Sequence, residues 1–166
     1  MKLGLLLALW VPYVFAQIKI GDSATTQWQM VGADGHIYRQ QIDSSVVAIK
    51  ANSILYKITE TTSDGDVGTK MREIYKSSAE DARSLRDPKQ LAILCASRPK
   101  WRGEIETVVV PAGSFLACKW TVKSLPNYTT EMWWGPVPPF GFIKSESKEH
   151  GKINISEVLE SFKFSE

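Results

Sequence analysis

Few residues in this chain carry the chemistry of a catalyst. The two histidines, His36 and His150, lie in polar turns beside Asp34-Gly35 and between Glu149 and Gly151, and neither belongs to a cluster with metal-ligand spacing. Asp64-Gly65-Asp66 places two carboxylates around a glycine, but without further oxygen ligands the triplet reads as a hairpin turn rather than a calcium loop. No serine occupies a nucleophile elbow. Cys118 sits inside an apolar alternation, the setting of an inert or bridged thiol and not of a nucleophile. These residues imply a non-catalytic protein with no metal site and no cofactor.

The aromatic side chains are a stronger lead. Trp28, Trp101, Trp120, Trp133, Trp134, Phe140 and Phe142 are many large rings for one domain. Adjacent Trp133 and Trp134 must face opposite sides of any strand that holds them. A sheet with both faces in use, the outer one covered by a helix, would absorb both rings. The functional alternative is a binding patch of Trp120, Trp133, Trp134, Phe140 and Phe142 around Pro136–Pro139, since an exposed apolar patch marks a ligand or partner surface.

The amino terminus sets the compartment. Lys2, the apolar run Leu3–Phe15 and the small-residue pattern Val14-Phe15-Ala16 form a secretory signal peptide, with cleavage expected after Ala16. The run is shorter than the roughly 20 residues of a membrane span. Removing residues 1–16 leaves 150 of the 166, enough for one domain with its own core. The formal charge of +2 falls to about +1 with loss of Lys2, and the remaining basic residues are spread along the chain. Neither observation favours a nucleic-acid partner. The expected protein is periplasmic or secreted, a single domain over residues 17–166, and not integral to a membrane.

The elements are largely β. Phe115–Lys123 alternates Leu116, Cys118, Trp120 and Val122 against Lys119, Thr121 and Lys123, and Glu104–Val110 is its partner, joined through the turn Pro111-Ala112-Gly113. Further strands are expected at 25–31, 36–41, 45–51, 53–61, 70–76, 128–134, 140–147 and 152–164. The last contains a phase slip that a bulge near Ser156-Glu157 would repair. Two short helices are expected at 79–86 and 88–96, the second opened by Asp87 as N-cap and Pro88 at the first helical position. Strand remains open for that segment, because Leu91, Ile93 and Cys95 also alternate. The fold class is a mainly β protein: a curved antiparallel sheet or half-open barrel with one or two short helices.

An even cysteine count in an oxidising compartment supports a Cys95–Cys118 bridge. In a plain meander the two residues would lie on strands two apart, about 9–10 Å from each other and beyond bridging range. A helix bearing Cys95 on the same face as Leu91 and Leu94 would remove that obstacle and tie itself to the sheet at Cys118.

Val110-Pro-Ala-Gly-Ser-Phe115, the later Trp133-Trp134 and Val137-Pro-Pro-Phe-Gly-Phe-Ile-Lys-Ser-Glu146 resemble a pattern in exported bacterial domains of unknown function. In those domains a "VPAG(T/S)F" hairpin precedes a strand pair with a tryptophan and a "P-x-G-x-(V/I)-K" segment. They are broadly similar to the half-barrels of periplasmic lipoprotein carriers, whose sheet wraps an apolar cavity under short helices. The doubled Pro138-Pro139 and Trp133-Trp134 depart from the pattern, and residues 64–103 have no firm counterpart in it. The resemblance implies a fold and a compartment but no catalytic residue. Two functions follow as expectations: binding of a lipid or acyl chain in the concavity of the sheet, or docking onto an envelope protein through an aromatic patch or a strand edge.

Overall fold

A computed structural model describes residues 18–75, 82–97 and 103–166. The expected signal segment, Trp101 and residues 79–81 of the first expected helix lie outside them.

Alternating side chains generate nine antiparallel strands: β1 Ser23–Val31, β2 Ile37–Ile49, β3 Ser53–Thr62, β4 Val67–Tyr75, β5 Gly103–Val110, β6 Gly113–Leu125, β7 Tyr128–Trp134, β8 Phe142–Glu149 and β9 Lys152–Lys163. They form one sheet in the order β4-β3-β2-β1-β9-β8-β7-β6-β5. Two meanders are thus joined through their first and last members, β1 and β9, which lie side by side in the middle. The sheet is curved and unclosed, as the sequence led us to expect. At its β5 end the β5–β6 turn approaches β9, where the Ala112 N–H donates to the Leu159 carbonyl over 3.4 Å.

Two expected strands, 36–41 and 45–51, are one continuous strand. Polar Asp43 and Ser44 do not interrupt it because both find partners across the β1 ladder. Asp43 accepts from the Thr25 hydroxyl at 2.6 Å, and the Ser44 hydroxyl donates to the Ala24 carbonyl at 3.3 Å. The phase slip in β9 is repaired at two places rather than one near Ser156-Glu157. The pairing skips Asn154 opposite β8 and Glu160 opposite β1, so the strand changes phase on either side of the expected point. The segment expected as a helix at 79–86 supplies, among the described residues, only the 3₁₀ turn Ser84–Arg86. Three residues give too few intrahelical bonds to define a longer element.

Residues 88–96 are helical. In α1, Pro88–Ala96, the Asp87 carboxylate accepts from the Lys89 N–H at 2.9 Å, Pro88 stands at the start, and Leu91, Leu94 and Cys95 face inward. Ile93, which a strand would have placed beside Leu91 and Cys95, is 62% exposed. The helix is bridged to β6 by Cys95–Cys118, with Cα atoms 5.4 Å apart.

Packing divides into two clusters. Leu85, Leu91, Leu94, Cys95, Cys118 and Trp120 bury one face of β6 beneath the 3₁₀ turn and α1, with Trp134 against them. Val108, Val110, Ala117, Trp133, Val137, Ile143, Ala24 and Leu159 form the other, where the β5–β6 hairpin meets the centre of the sheet.

Candidate functional site

Strand register fixes which side chains share a face. Ala24 lies opposite Ser44, Thr26 opposite Ile42, Ser44 opposite Ile58 and Val46 opposite Tyr56. On the other side of β1, Trp28 lies opposite Glu157. Residues paired in an antiparallel ladder project to the same side, so this run belongs to one surface of β1, β2, β3 and β9. The β7–β8 connection, 135–141, folds over it. Its shape comes from its own backbone: Gly135 N–H donates to the Gly141 carbonyl (2.7 Å), Gly141 N–H to the Val137 carbonyl (2.6 Å) and Val137 N–H to the Gly135 carbonyl (2.8 Å). The Pro138–Pro139 peptide is cis. Val137 and Pro138 are fully buried.

Between loop and sheet lies a cavity of about 160 Å³. Pro138, Pro139, Phe140 and Phe142 form its roof and rim, and Ala24, Ile42, Tyr56 and Ile58 its apolar floor. Thr26, Ser44 and Glu157 supply its polar atoms. The Tyr56 and Phe140 rings meet edge to face at 5.1 Å between centroids. The cavity is smaller than the roughly 300 Å³ at which drug-sized sites begin.

Glu157 is the unusual group in this wall. Burial raises its carboxyl above the ordinary range, and the one hydrogen bond that opposes the shift comes from the Thr26 hydroxyl, 2.7 Å from Oε1. Among the described residues no cation pairs with it.

The aromatic residues singled out in the sequence separate into three environments. Trp120 is fully buried under α1, its indole N–H 3.3 Å from the Cys95 carbonyl. Trp134 stands between Trp120 (6.3 Å between centroids) and Phe142 (6.0 Å), which links the packing under the helix to the cavity rim. Phe140 and Phe142 line the cavity itself. Trp133 projects to the opposite face and is 5% exposed. There its N–H donates to Glu106 at 2.6 Å, and the ammonium groups of Lys119 and Lys144 lie 5.2 and 5.0 Å from its ring centroid. Around it Glu131 takes Lys119 at 2.7 Å and Lys148 at 2.5 Å, while Glu146 takes Lys144 at 2.6 Å. The structure therefore brings Phe140, Phe142 and, at one remove, Trp134 together, and holds Trp120 and Trp133 elsewhere.

Sequence reasoning missed Thr26, Ser44, Tyr56, Ile58 and Glu157. Each is an ordinary member of its strand, and only the register between strands distant in sequence assembles them. The phase slip around Glu157 was the one visible signal.

The short segment above α1 is anchored independently. Asp22, 1% exposed, accepts from both Nη atoms of Arg83 at 2.5 and 2.6 Å and from the Ser165 N–H at 2.8 Å. Arg83 also donates to the Ser165 carbonyl at 3.1 Å. The guanidinium groups of Arg83 and Arg86 lie 4.8 and 4.5 Å from the Phe164 ring centroid. His36 is exposed, and His150 holds a turn with φ 50°, its Nε2 3.2 Å from the Asn127 amide nitrogen. Among the described residues no three His, Cys, Asp or Glu side chains gather as a metal cluster, and no helix is long and apolar enough to cross a membrane.

No protein-family model matches the chain, so the pattern at residues 110–146 has no family counterpart there. No curated protein matches it in sequence. Among solved structures, the crystal structure of MucB in complex with MucA(peri) is similar at 15% sequence identity and a TM-score of 0.49, over 90% of this chain and 52% of that one. The chain thus spans about half the length of that neighbour.

Proposed function

We propose that this is an exported, non-catalytic binding protein that takes a short apolar group, such as the end of an acyl chain, between its curved sheet and the 135–141 loop. The observation that carries this reading is the apolar cavity under Pro138, Pro139, Phe140 and Phe142. A mostly apolar concavity with a few polar anchors is the general form of a small-molecule site. Its modest volume favours one chain end over a whole lipid. In this reading Phe140 and Phe142 contact the ligand, Trp134 supports Phe142 from behind, and Trp120 and Trp133 hold the fold. The signal segment at 1–16, a single domain over 17–166 and a periplasmic or secreted location belong to the same proposal.

The test is titration of the exported protein with short alkyl probes, followed by amide and methyl NMR shifts. Saturable shifts confined to Ala24, Ile42, Tyr56, Ile58 and Phe142, weakened in Phe142→Ala, are the expected result. Absence of saturable binding for every probe would leave docking as the function. The exposed edge strand β4, with Val67 65% and Tyr75 72% exposed, would then be the surface to examine.

A further inference from the structure

The polar atoms of the cavity are not arranged for a fatty acid. Thr26, the neighbour of Glu157 at this end, has already turned its hydroxyl hydrogen toward Oε1 at 2.7 Å. That leaves the second carboxylate oxygen without a donor among the described residues. The ladder partners of Glu157 are Trp28 and Ser145, neither of them cationic. Lys70, which lies opposite Ile58 on β4, is engaged by Glu60. A cavity wall thus presents an acidic group that has one hydrogen bond and no counter-charge, next to an apolar floor of Ile42, Tyr56 and Ile58.

We infer that Glu157 sets the ligand class of this cavity, selecting a short alkyl chain that ends in an ammonium group over the carboxylate of the same length. The inference rests on the cavity being a ligand site, as proposed above, and adds to it the chemistry of the head group. An ammonium donates to Oε2, which no described side chain engages, and brings the positive charge that the wall lacks; a charge-assisted bond in a partly buried site is stronger than a neutral one. A ligand carboxylate meets a like charge or forces protonation of one partner. Removing one partner of such a contact leaves the other unpaired, so discrimination is large even where the pair itself contributes little. The Ser44 hydroxyl, also in the wall, accepts a second ammonium hydrogen without competing charge.

The experiment is calorimetric titration of the oxidised wild-type protein with hexylammonium, hexan-1-ol and hexanoate at neutral pH, repeated with Glu157→Gln. Hexylammonium should bind most tightly, by about tenfold or more over hexanoate, and Glu157→Gln should erase that ratio while retaining the alcohol. Equal binding of the three probes, or a preference for hexanoate, overturns the inference and leaves the apolar site intact. No binding of any probe overturns both. A preference unchanged in Glu157→Gln also overturns it, since the selectivity would then come from elsewhere. If Glu157→Gln fails to fold, Glu157→Asp serves instead, and shortening the side chain should reduce the ratio.

Discussion

A buried carboxylate, Asp22, and a half-buried one, Glu157, respond to pH with opposite sign. For Asp22, burial alone raises the carboxyl, but the Arg83 hydrogen bonds and the backbone N–H groups of Lys19 and Ser165 outweigh it and hold the group below the ordinary range. Its contribution to stability is present above the ordinary Asp value of about 4 and is lost as pH falls through the lowered one. Asp22→Asn removes the buried negative charge that accepts from Arg83 and from the Lys19 and Ser165 N–H groups, and should cost on the order of 3 kcal/mol at neutral pH. Urea unfolding should show that loss, together with a weaker acid dependence than the wild type. For Glu157 the folded-state value is raised. Its contribution is therefore intact below the ordinary Glu value of about 4.3 and is lost as pH rises through the raised one. Glu157→Gln should melt at a higher temperature than the wild type at neutral pH, and the difference should vanish in acid. Neither role was legible in the sequence. Asp22 meets Ser165, and Glu157 meets Thr26, because β1 is paired with β9, while Arg83 reaches Asp22 from the 3₁₀ turn before α1.

Element by element, more could be read in advance. Asp87-Pro88 announced α1, and the distance argument about Cys95 required that helix before the disulfide could form. The turn Pro111-Ala112-Gly113 was legible too, and the Gly113 φ of 135° is a conformation that favours glycine. Gly113→Val should lower stability by at least about 1 kcal/mol in a thermal melt. What stayed hidden was the close approach between α1 and the first residue of β5. A Cβ on Gly103 would stand 2.3 Å from the Cys95 carbonyl oxygen and 2.8 Å from its Sγ. Nothing near Gly103 in the sequence advertises this, because the obstacle is the end of a helix that arrives from outside the sheet. Gly103→Ala should therefore destabilise by about 1–3 kcal/mol, the range for overpacking, and should slow reoxidation of the disulfide after reduction. The bridge itself closes a loop between residues 23 apart, worth roughly 3 kcal/mol on the chain-entropy model. Alkylation after denaturation without reductant should label no thiol.

For the molecule as a whole, alternation foretold the strands and their two-sided use, whereas their order depended on a pairing over the full length of the sheet. Alternation shows which residues share a face but is silent on which strand lies beside which, and the cavity is made by that choice. The pairing of β1 with β9 carries a further consequence. Ser23 lies opposite Lys163, and Asp22 holds the Ser165 N–H at 2.8 Å, so residues 22 and 165 lie side by side and the fold between them nearly closes on itself. Such a molecule should tolerate being cut elsewhere. Residues 18–166, closed by a short Gly/Ser link and reopened in the β3–β4 turn at Asp64–Gly65, should regain the same far-ultraviolet dichroism and the same Cys95–Cys118 bridge. The new ends would then fall at the rim of the sheet, and the two strands at its centre would become successive segments of one hairpin.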